Sequence, residues 1–197
     1  MAARRAAQKA ADSTPRAAQA SAPGGVAAHA AAPWTVVIAL ALVTAAVYLP
    51  SLRHGFLNWD DDTYVTENAH VRRGLSAETV AWAFRSGEAA NWHPLTWLSH
   101  ALDVTLFGLD PRGHHASSIA LHALNAALLL LALHRLTRRL WPSAVVAALF
   151  ALHPLHVESV SWIAERKDVL CGTFTFLALW AYAVYAERPS LRRYLLV

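Results

Sequence analysis

The stretch that decides the fold class is WTVVIALALVTAAVYLPSL, residues 34–52, which holds no charged side chain. A helix needs about 20 such residues to cross the hydrocarbon core of a bilayer. The chain of 197 residues is 56% hydrophobic and only 15% charged, whereas soluble domains carry about 25% charged residues. These observations predict an all-α integral membrane protein. The stretch is expected to remain as an anchor, because the region before it is too long for a signal peptide and no clean cleavage pattern follows.

Three further apolar runs predict membrane spans at residues 116–133, 143–162 and 169–186. With 34–52 they give about four transmembrane helices in a membrane domain covering 33–197. The third run is interrupted by His153 and Pro154, and the final LRRYLLV has the character of another span that has only begun. We therefore expect a chain truncated at its C-terminus. Residues 1–32 are rich in alanine and have almost no large apolar side chains, which predicts a disordered tail.

The basic residues predict the orientation in the membrane. They occur in the tail, in the 134–142 turn and near the C-terminus, three segments that share one side of a four-span bundle. Positive-inside bias places that side, with the N-terminus, in the cytoplasm. The 53–113 loop carries more acidic than basic residues, so it is expected to be extracytoplasmic. The net charge of +4 is spread in small groups between apolar runs, which argues against a nucleic-acid surface.

The 53–113 loop contains two helical signals. Ser76 is spaced to cap a helix through AETVAWAF, while Pro94 opens a helix in HPLTWLSHALDVTLFG that Gly108 ends. Both segments are short and amphipathic and have tryptophans close by, a pattern that predicts interfacial helices.

One face of the second span is polar. His115, Ser118, His122 and Asn125 follow one another at steps of three or four residues and so share one side of a helix. Polar side chains within a span face the protein interior. The single cysteine, Cys171, lies in an apolar run without a partner and is expected to be packed in the interior.

Three aspartates, Asp60, Asp61 and Asp62, follow the first span within FLNWDDDTYVTEN. Adjacent carboxylates repel one another, so at least one should have a raised pKa unless a cation is near. The cluster is interpreted either as a polar loop that ends the span or as a reactive acidic site at the membrane surface.

Two further polar clusters follow the third run. HPLHVE (153–158) contains His153, His156 and Glu158, whose spacing is not that of HExxH, so a zinc site is disfavoured. A polar site at the end of a broken span and ordinary helix-end residues remain as alternatives. In ERKD (165–168), Arg166 and Lys167 are either interfacial anchors or ligands for a phosphate group.

Four segments occur in a specific order: FLNWDDD, NWHPLTWLSHALD, HHASSIALHALNA and LFALHPLHVESVSWIAERKDVL. Over about Phe56–Leu170 the chain resembles the N-terminal part of bacterial multi-span membrane proteins that carry tetratricopeptide repeats. Those proteins are similar to the transmembrane O-mannosyltransferases of the GT-C glycosyltransferase fold. The resemblance implies a partial GT-C-like fold and a polyprenyl-phosphate sugar donor. No tetratricopeptide period occurs in these residues, which again indicates an N-terminal fragment.

The resemblance also implies site residues. Asp60 and Asp61 correspond to the acidic pair at the family's catalytic centre. His93 stands where the animal relatives have arginine, at a position tied to phosphate binding. The HPxHxE and R-x-D segments of the family correspond to His153, His156, Glu158, Arg166 and Asp168.

The resemblance therefore implies sugar transfer to a hydroxyl of a protein or glycan acceptor, on the outer side of a bacterial inner membrane. Asp60, with Asp61 as runner-up, is the expected general base. The expected ligands of the lipid phosphate, and the residues that shape its site, are His93, His153, His156, Glu158, Arg166 and Lys167. No cofactor is expected, and a divalent metal is disfavoured.

Two alternatives belong to other functional classes. One is a non-catalytic membrane anchor that presents downstream tetratricopeptide repeats to protein partners. The other is a metal-handling membrane protein, which the 11 histidines suggest. Whether a chain of this length acts alone stays open.

Overall fold

A computed structural model describes residues 33–196, and within that range all regular structure is helical, without a strand. The predicted all-α membrane fold is therefore confirmed, while the predicted tail 1–32 lies outside the described residues. The α-helices in chain order are α1 Pro33–Tyr48, α2 Ala77–Ala83, α3 Pro94–Phe107, α4 Pro111–Thr137, α5 Leu140–Leu152, α6 His156–Ser161, α7 Arg166–Glu187 and α8 Leu191–Tyr194.

Helices α4 and α7 lie side by side and run in the same direction. At their starts, Arg166 Nε donates to Ser118 Oγ (2.9 Å), and at their ends Arg135 pairs with Glu187 (2.6 Å). Helix α1 runs the opposite way, because Ser51, just beyond it, bonds Ser161 (2.7 Å). The bundle thus has a loop end, where residues 53–113 lie, and a basic end around Arg135. The predicted common side of the basic segments 134–142 and 188–193 agrees with this arrangement.

The third pass between the two ends is broken where the sequence predicted an interruption. The span expected over 143–162 is divided at His153 and Pro154, since α5 stops at Leu152 and α6 begins only at His156. Pro154 has no N–H to donate and its ring opposes a helical residue before it, so the helix breaks there. At 13 residues, α5 is about 20 Å long, which is less than the roughly 30 Å of a hydrocarbon core.

Within residues 33–196, three helical segments are long and apolar enough to cross a membrane, namely Pro33–Arg53, Pro111–Thr137 and Ile163–Glu187. The latter two begin several residues before the predicted spans at 116 and 169. The additional first turn of α7 contains Arg166, a charged residue that was excluded from the predicted span. This turn can belong to the helix because the Arg166 side chain is fully buried inside the protein.

Small side chains bring α1, α4 and α5 together. Ala126, Ala147 and Ala151 are fully buried and pack with Leu40 and Leu130 in one apolar cluster. The predicted polar face of α4 is confirmed, since each of its four members is buried: His115, Ser118, His122 and Asn125. Ser118 and Asn125 bond residues of α7, whereas His122 bonds the Ala151 carbonyl of α5.

The loop helices form as predicted. Ser76 Oγ accepts from Thr79 N–H (3.1 Å) at the start of α2, and Gly108 ends α3 with a φ of 65°. Trp97, expected near the membrane interface, is instead fully buried against Tyr64 and Ile163. Cys171 was expected in the interior, but it lies exposed on α7, because α7 turns that face away from α4.

Candidate functional site at the loop end

Asp61 ties the loop to the start of α7. Its carboxylate is almost fully buried, Oδ2 accepts from Leu57 N–H (2.8 Å), and Oδ1 accepts from Ala164 N–H (2.8 Å). Burial raises the pKa of Asp61, and the two backbone hydrogen bonds act in the opposite direction. One raised pKa was predicted for the cluster, but burial is the larger cause and repulsion from Asp60 a lesser one. Both oxygens of Asp61 are thus committed to backbone donors.

Asp60 differs from its two neighbours in having a free carboxylate. Asp62 Oδ1 accepts from Thr63 N–H (2.6 Å), whereas no side chain or backbone donor in residues 33–196 binds the Asp60 carboxylate. Asp60 is half-buried, and its carbonyl accepts from Tyr64 N–H (2.9 Å), which fixes the backbone. Of the three aspartates, Asp60 is therefore the one whose two carboxylate oxygens both lack a protein donor within residues 33–196.

Tyr64 lies between acidic and basic groups. Lys167 Nζ is 5.6 Å from the centroid of its ring, within the range of a cation–π contact. Burial raises the pKa of Tyr64, the positive charge of Lys167 opposes that rise, and the negative charges of Glu165 and Asp60 add to it. The Asp60 carboxylate and the Lys167 ammonium therefore both act electrostatically at one aromatic ring.

Lys167 also lines an apolar cavity of about 350 Å³ together with Trp92, His93, Leu95 and Phe174. Its Nζ donates to Glu165 Oε1 (2.6 Å) and about a third of its side chain is exposed, so further donors of the ammonium are free. The ring of His93 stacks on Tyr64 with 5.5 Å between centroids. Burial and the charge of Lys167 lower the pKa of His93, which keeps the imidazole neutral at neutral pH.

Arg166 has a different position from the one expected of a phosphate ligand. It is fully buried and donates four hydrogen bonds, to Ser118 Oγ, Ser99 Oγ, Asp103 Oδ2 and the His114 carbonyl. Its pairing with Asp103 (2.8 Å) satisfies the charge inside the protein. The guanidinium thus joins α3, α4 and α7, and it does not face the cavity that Lys167 lines.

The HPLHVE residues lie apart from Lys167. His156 borders a second cavity of about 160 Å³ with His122, Asn125 and Asp168, and its ring is 5.6 Å from that of His122. His153 and Glu158 are exposed, and His153 Nδ1 accepts from Leu155 N–H (3.2 Å). The predicted ligands therefore do not converge on one cavity. His93 and Lys167 line the apolar one, His156 lines the second, and His153 borders another beside Leu152 and Pro154.

Some residues of this region carry no recognisable sequence signal. Asp103 binds Arg166 across 63 positions of the chain, and only the fold brings them together. Glu165 and Tyr64 were visible as parts of polar and aromatic stretches, but their contacts with Lys167 were not. A signal did exist for Ser118, which belongs to the polar face of α4.

Comparison with known proteins identifies relatives of this chain. The chain is 30% identical over 160 residues to protein O-mannosyl-transferase Tmtc2 of Drosophila melanogaster, which covers 76% of this chain and 17% of that protein. It is 31% identical over 160 residues to protein O-mannosyl-transferase TMTC1 of Homo sapiens, covering 77% of this chain and 18% of that protein. The mouse TMTC3 relative is 29% identical over 147 residues, covering 71% and 16%.

The chain is a homologue of these protein O-mannosyl-transferases. It is, like them, a multi-pass membrane protein, and the predicted resemblance is confirmed. The chain spans less than a fifth of the length of the curated relatives it matches. No protein-family model matches the chain, and no solved structure matches it significantly.

Proposed function

We propose that this O-mannosyl-transferase homologue contributes the catalytic end of a membrane glycosyltransferase. The enzyme moves a hexose from a polyprenyl-phosphate donor to a hydroxyl of a protein acceptor on the extracytoplasmic side of a bacterial inner membrane. The names of the relatives, which state protein O-mannosyl transfer, support mannose as the sugar. The observation that carries the proposal is the free carboxylate of Asp60 beside a ring that Lys167 also approaches.

The chemistry requires a base and a cation. The acceptor hydroxyl attacks the anomeric carbon, the bond from that carbon to the phosphate oxygen breaks, and the hydroxyl proton passes to Asp60. Polyprenyl phosphate leaves with the electron pair of the broken bond. Lys167 stabilises the phosphate charge as it develops, because an ammonium with unused donors can bind phosphate oxygens.

The apolar cavity supports a place for the lipid. Leu95, Leu170 and Phe174 border it beside Lys167, so a phosphate at the ammonium would leave the first prenyl units against apolar side chains. Arg166 is assigned a structural role in this proposal, since four of its five N–H donors already bind groups of the protein. His93 packs beneath Tyr64 at the rim of the cavity.

A kinetic comparison tests the phosphate role. In the intact protein reconstituted into liposomes, Lys167→Met should raise the KM for a polyprenyl-phosphate hexose roughly 10-fold to 100-fold, the effect of losing a hydrogen bond to a charged group. Arg112→Met removes an exposed positive charge at the same end of the bundle and should leave the KM unchanged. Equal effects of the two substitutions would contradict a specific contact at Lys167.

The non-catalytic anchor gives a different result in the same experiment. If no sugar transfer is detected in any preparation, and variants at Asp60 and Lys167 keep the protein's cellular role, the anchor interpretation replaces the enzymatic one.

A further inference from the structure

We propose a transition-metal site, of the kind that binds Zn²⁺, formed by His100, Asp103 and His114. Each residue offers one ligand atom, and these atoms all lie within 4.8 Å of one another. All three side chains are buried. The site lies where α3 meets the start of α4, and it is separate from Asp60 and Lys167, so the proposal does not depend on the sugar-transfer chemistry.

The contacts of His114 indicate a cation. Its Nε2 lies 3.3 Å from the Gly108 carbonyl oxygen, and its Nδ1 lies 3.5 Å from Asp103 Oδ2. Both oxygens can only accept, but a neutral imidazole carries one N–H. One nitrogen lone pair therefore faces an oxygen lone pair unless a cation or an extra proton lies between them.

A metal ion at Nδ1 resolves this conflict. Nε2–H then donates to the Gly108 carbonyl, which is how histidine ligands are commonly oriented in metal sites. Asp103 is also held in place, because its Oδ1 accepts from Ser117 Oγ (2.6 Å). Supporting contacts for two of the three ligands are thus already present.

His100 supplies the third ligand. Its ring is completely buried, and neither ring nitrogen has a hydrogen-bond partner within residues 33–196. Buried polar atoms in native proteins nearly always have a partner, and an ordered water or an ion supplies it where the protein does not. His100 and Asp103 are three residues apart on α3 and so point to the same side, towards His114.

The donor set indicates the class of metal. Two imidazoles and one carboxylate form one of the common three-ligand Zn²⁺ sets, which leaves a fourth position for water or another ligand. Arg166 carries a positive charge that opposes the cation through its contact with Asp103 (2.8 Å). Its three other hydrogen bonds go to neutral oxygens, and these hold the guanidinium in place without the carboxylate.

Metal content of the purified full chain tests the site. The protein in detergent is stripped with a chelator, reloaded with Zn²⁺ and analysed by elemental mass spectrometry, with one tightly bound ion per chain expected. His100→Phe, which fills the same space without a nitrogen, should lose that ion. His115→Phe removes a buried histidine outside the trio and should keep it.

Cobalt gives a second readout that requires no variant. Co²⁺ added to the stripped wild-type protein should produce visible d–d absorption typical of nitrogen and oxygen ligands in a four-coordinate site, and Zn²⁺ should abolish it. Absence of this absorption, or Zn²⁺ that His100→Phe retains as fully as the wild type, would overturn the proposal.

Discussion

At the scale of single residues, neighbours in the chain take opposite roles. Arg166 and Lys167 are adjacent basic residues, yet one is fully buried and the other partly exposed beside a cavity. Successive helical residues point about 100° apart, so only one of them can face α4. The sequence indicated that this pair mattered but could not indicate which residue faced inwards, since that depends on how α7 packs.

Breaking the buried ion pair should destabilise the protein strongly. Arg166→Met leaves the Asp103 carboxylate buried without its guanidinium partner (2.8 Å in the wild type), a change that costs about 3–5 kcal/mol. Unfolding in detergent, followed by tryptophan fluorescence, measures the difference. Arg73→Met, which breaks an exposed pair with Glu78, is the control and should unfold like the wild type. A stable Arg166→Met protein would contradict the role assigned to this network.

His93 should make the protein sensitive to acid. Burial and Lys167 lower its pKa in the folded state, so the unfolded chain binds a proton first as the pH falls through about 6.5. Stability from this group is therefore present above that pH and is lost below it. His93→Phe, which can still stack on Tyr64, should show a smaller drop in melting temperature between about pH 7 and about pH 5. The exposed His153, replaced by Phe, serves as control and should behave like the wild type.

At the scale of elements, the sequence predicted those helices whose ends are set by local interactions. Within the loop, Ser76 caps α2, while Pro94 begins α3 and Gly108 ends it. The polar face of α4 was predicted from the spacing of its polar residues. The interruption of the third pass at His153 and Pro154 was also predicted, because proline breaks a helix locally. The early start of α7 was not predicted, because it depends on acceptors on α3 and α4 that allow Arg166 inside.

Gly172 should be required for the packing of α4 against α7. A Cβ there would lie 2.9 Å from Asn125 Nδ2, the atom that donates to the Val169 carbonyl (2.8 Å). Helix propensity alone predicts that Gly172→Ala stabilises by about 1 kcal/mol. The close approach predicts the opposite, a loss of about 1–3 kcal/mol. Thermal unfolding decides the sign, with Gly55→Ala as control because nothing lies within 4 Å of its Cβ position.

At the scale of the whole molecule, the bundle separates two chemically different ends. Arg135 and Arg138 meet Glu187 at one end, while the candidate site and the long loop lie at the other. The sequence predicted this separation from the distribution of charge. It could not predict that His156 and Lys167 would line different cavities, because the two residues diverge only once α6 and α7 are packed.

The two ends should lie on opposite sides of the membrane. In a Cys171→Ser background, Gly87→Cys in the loop should react with a membrane-impermeant maleimide added to intact cells. Arg139→Cys at the basic end, also exposed, should react only after the cells are opened. The reverse pattern would place the candidate site in the cytoplasm and exclude an extracytoplasmic reaction.

Sugar transfer by Asp60→Asn, measured beside Asp61→Asn in the intact protein, tests the catalytic assignment most directly. Asp60→Asn should fold normally and lower kcat by about 10²–10⁴, the contribution of a general base. Asp61→Asn should instead lower the melting temperature, because an amide cannot accept from both Leu57 N–H and Ala164 N–H, while its folded fraction keeps most of its kcat. Full activity of Asp60→Asn would contradict the assignment.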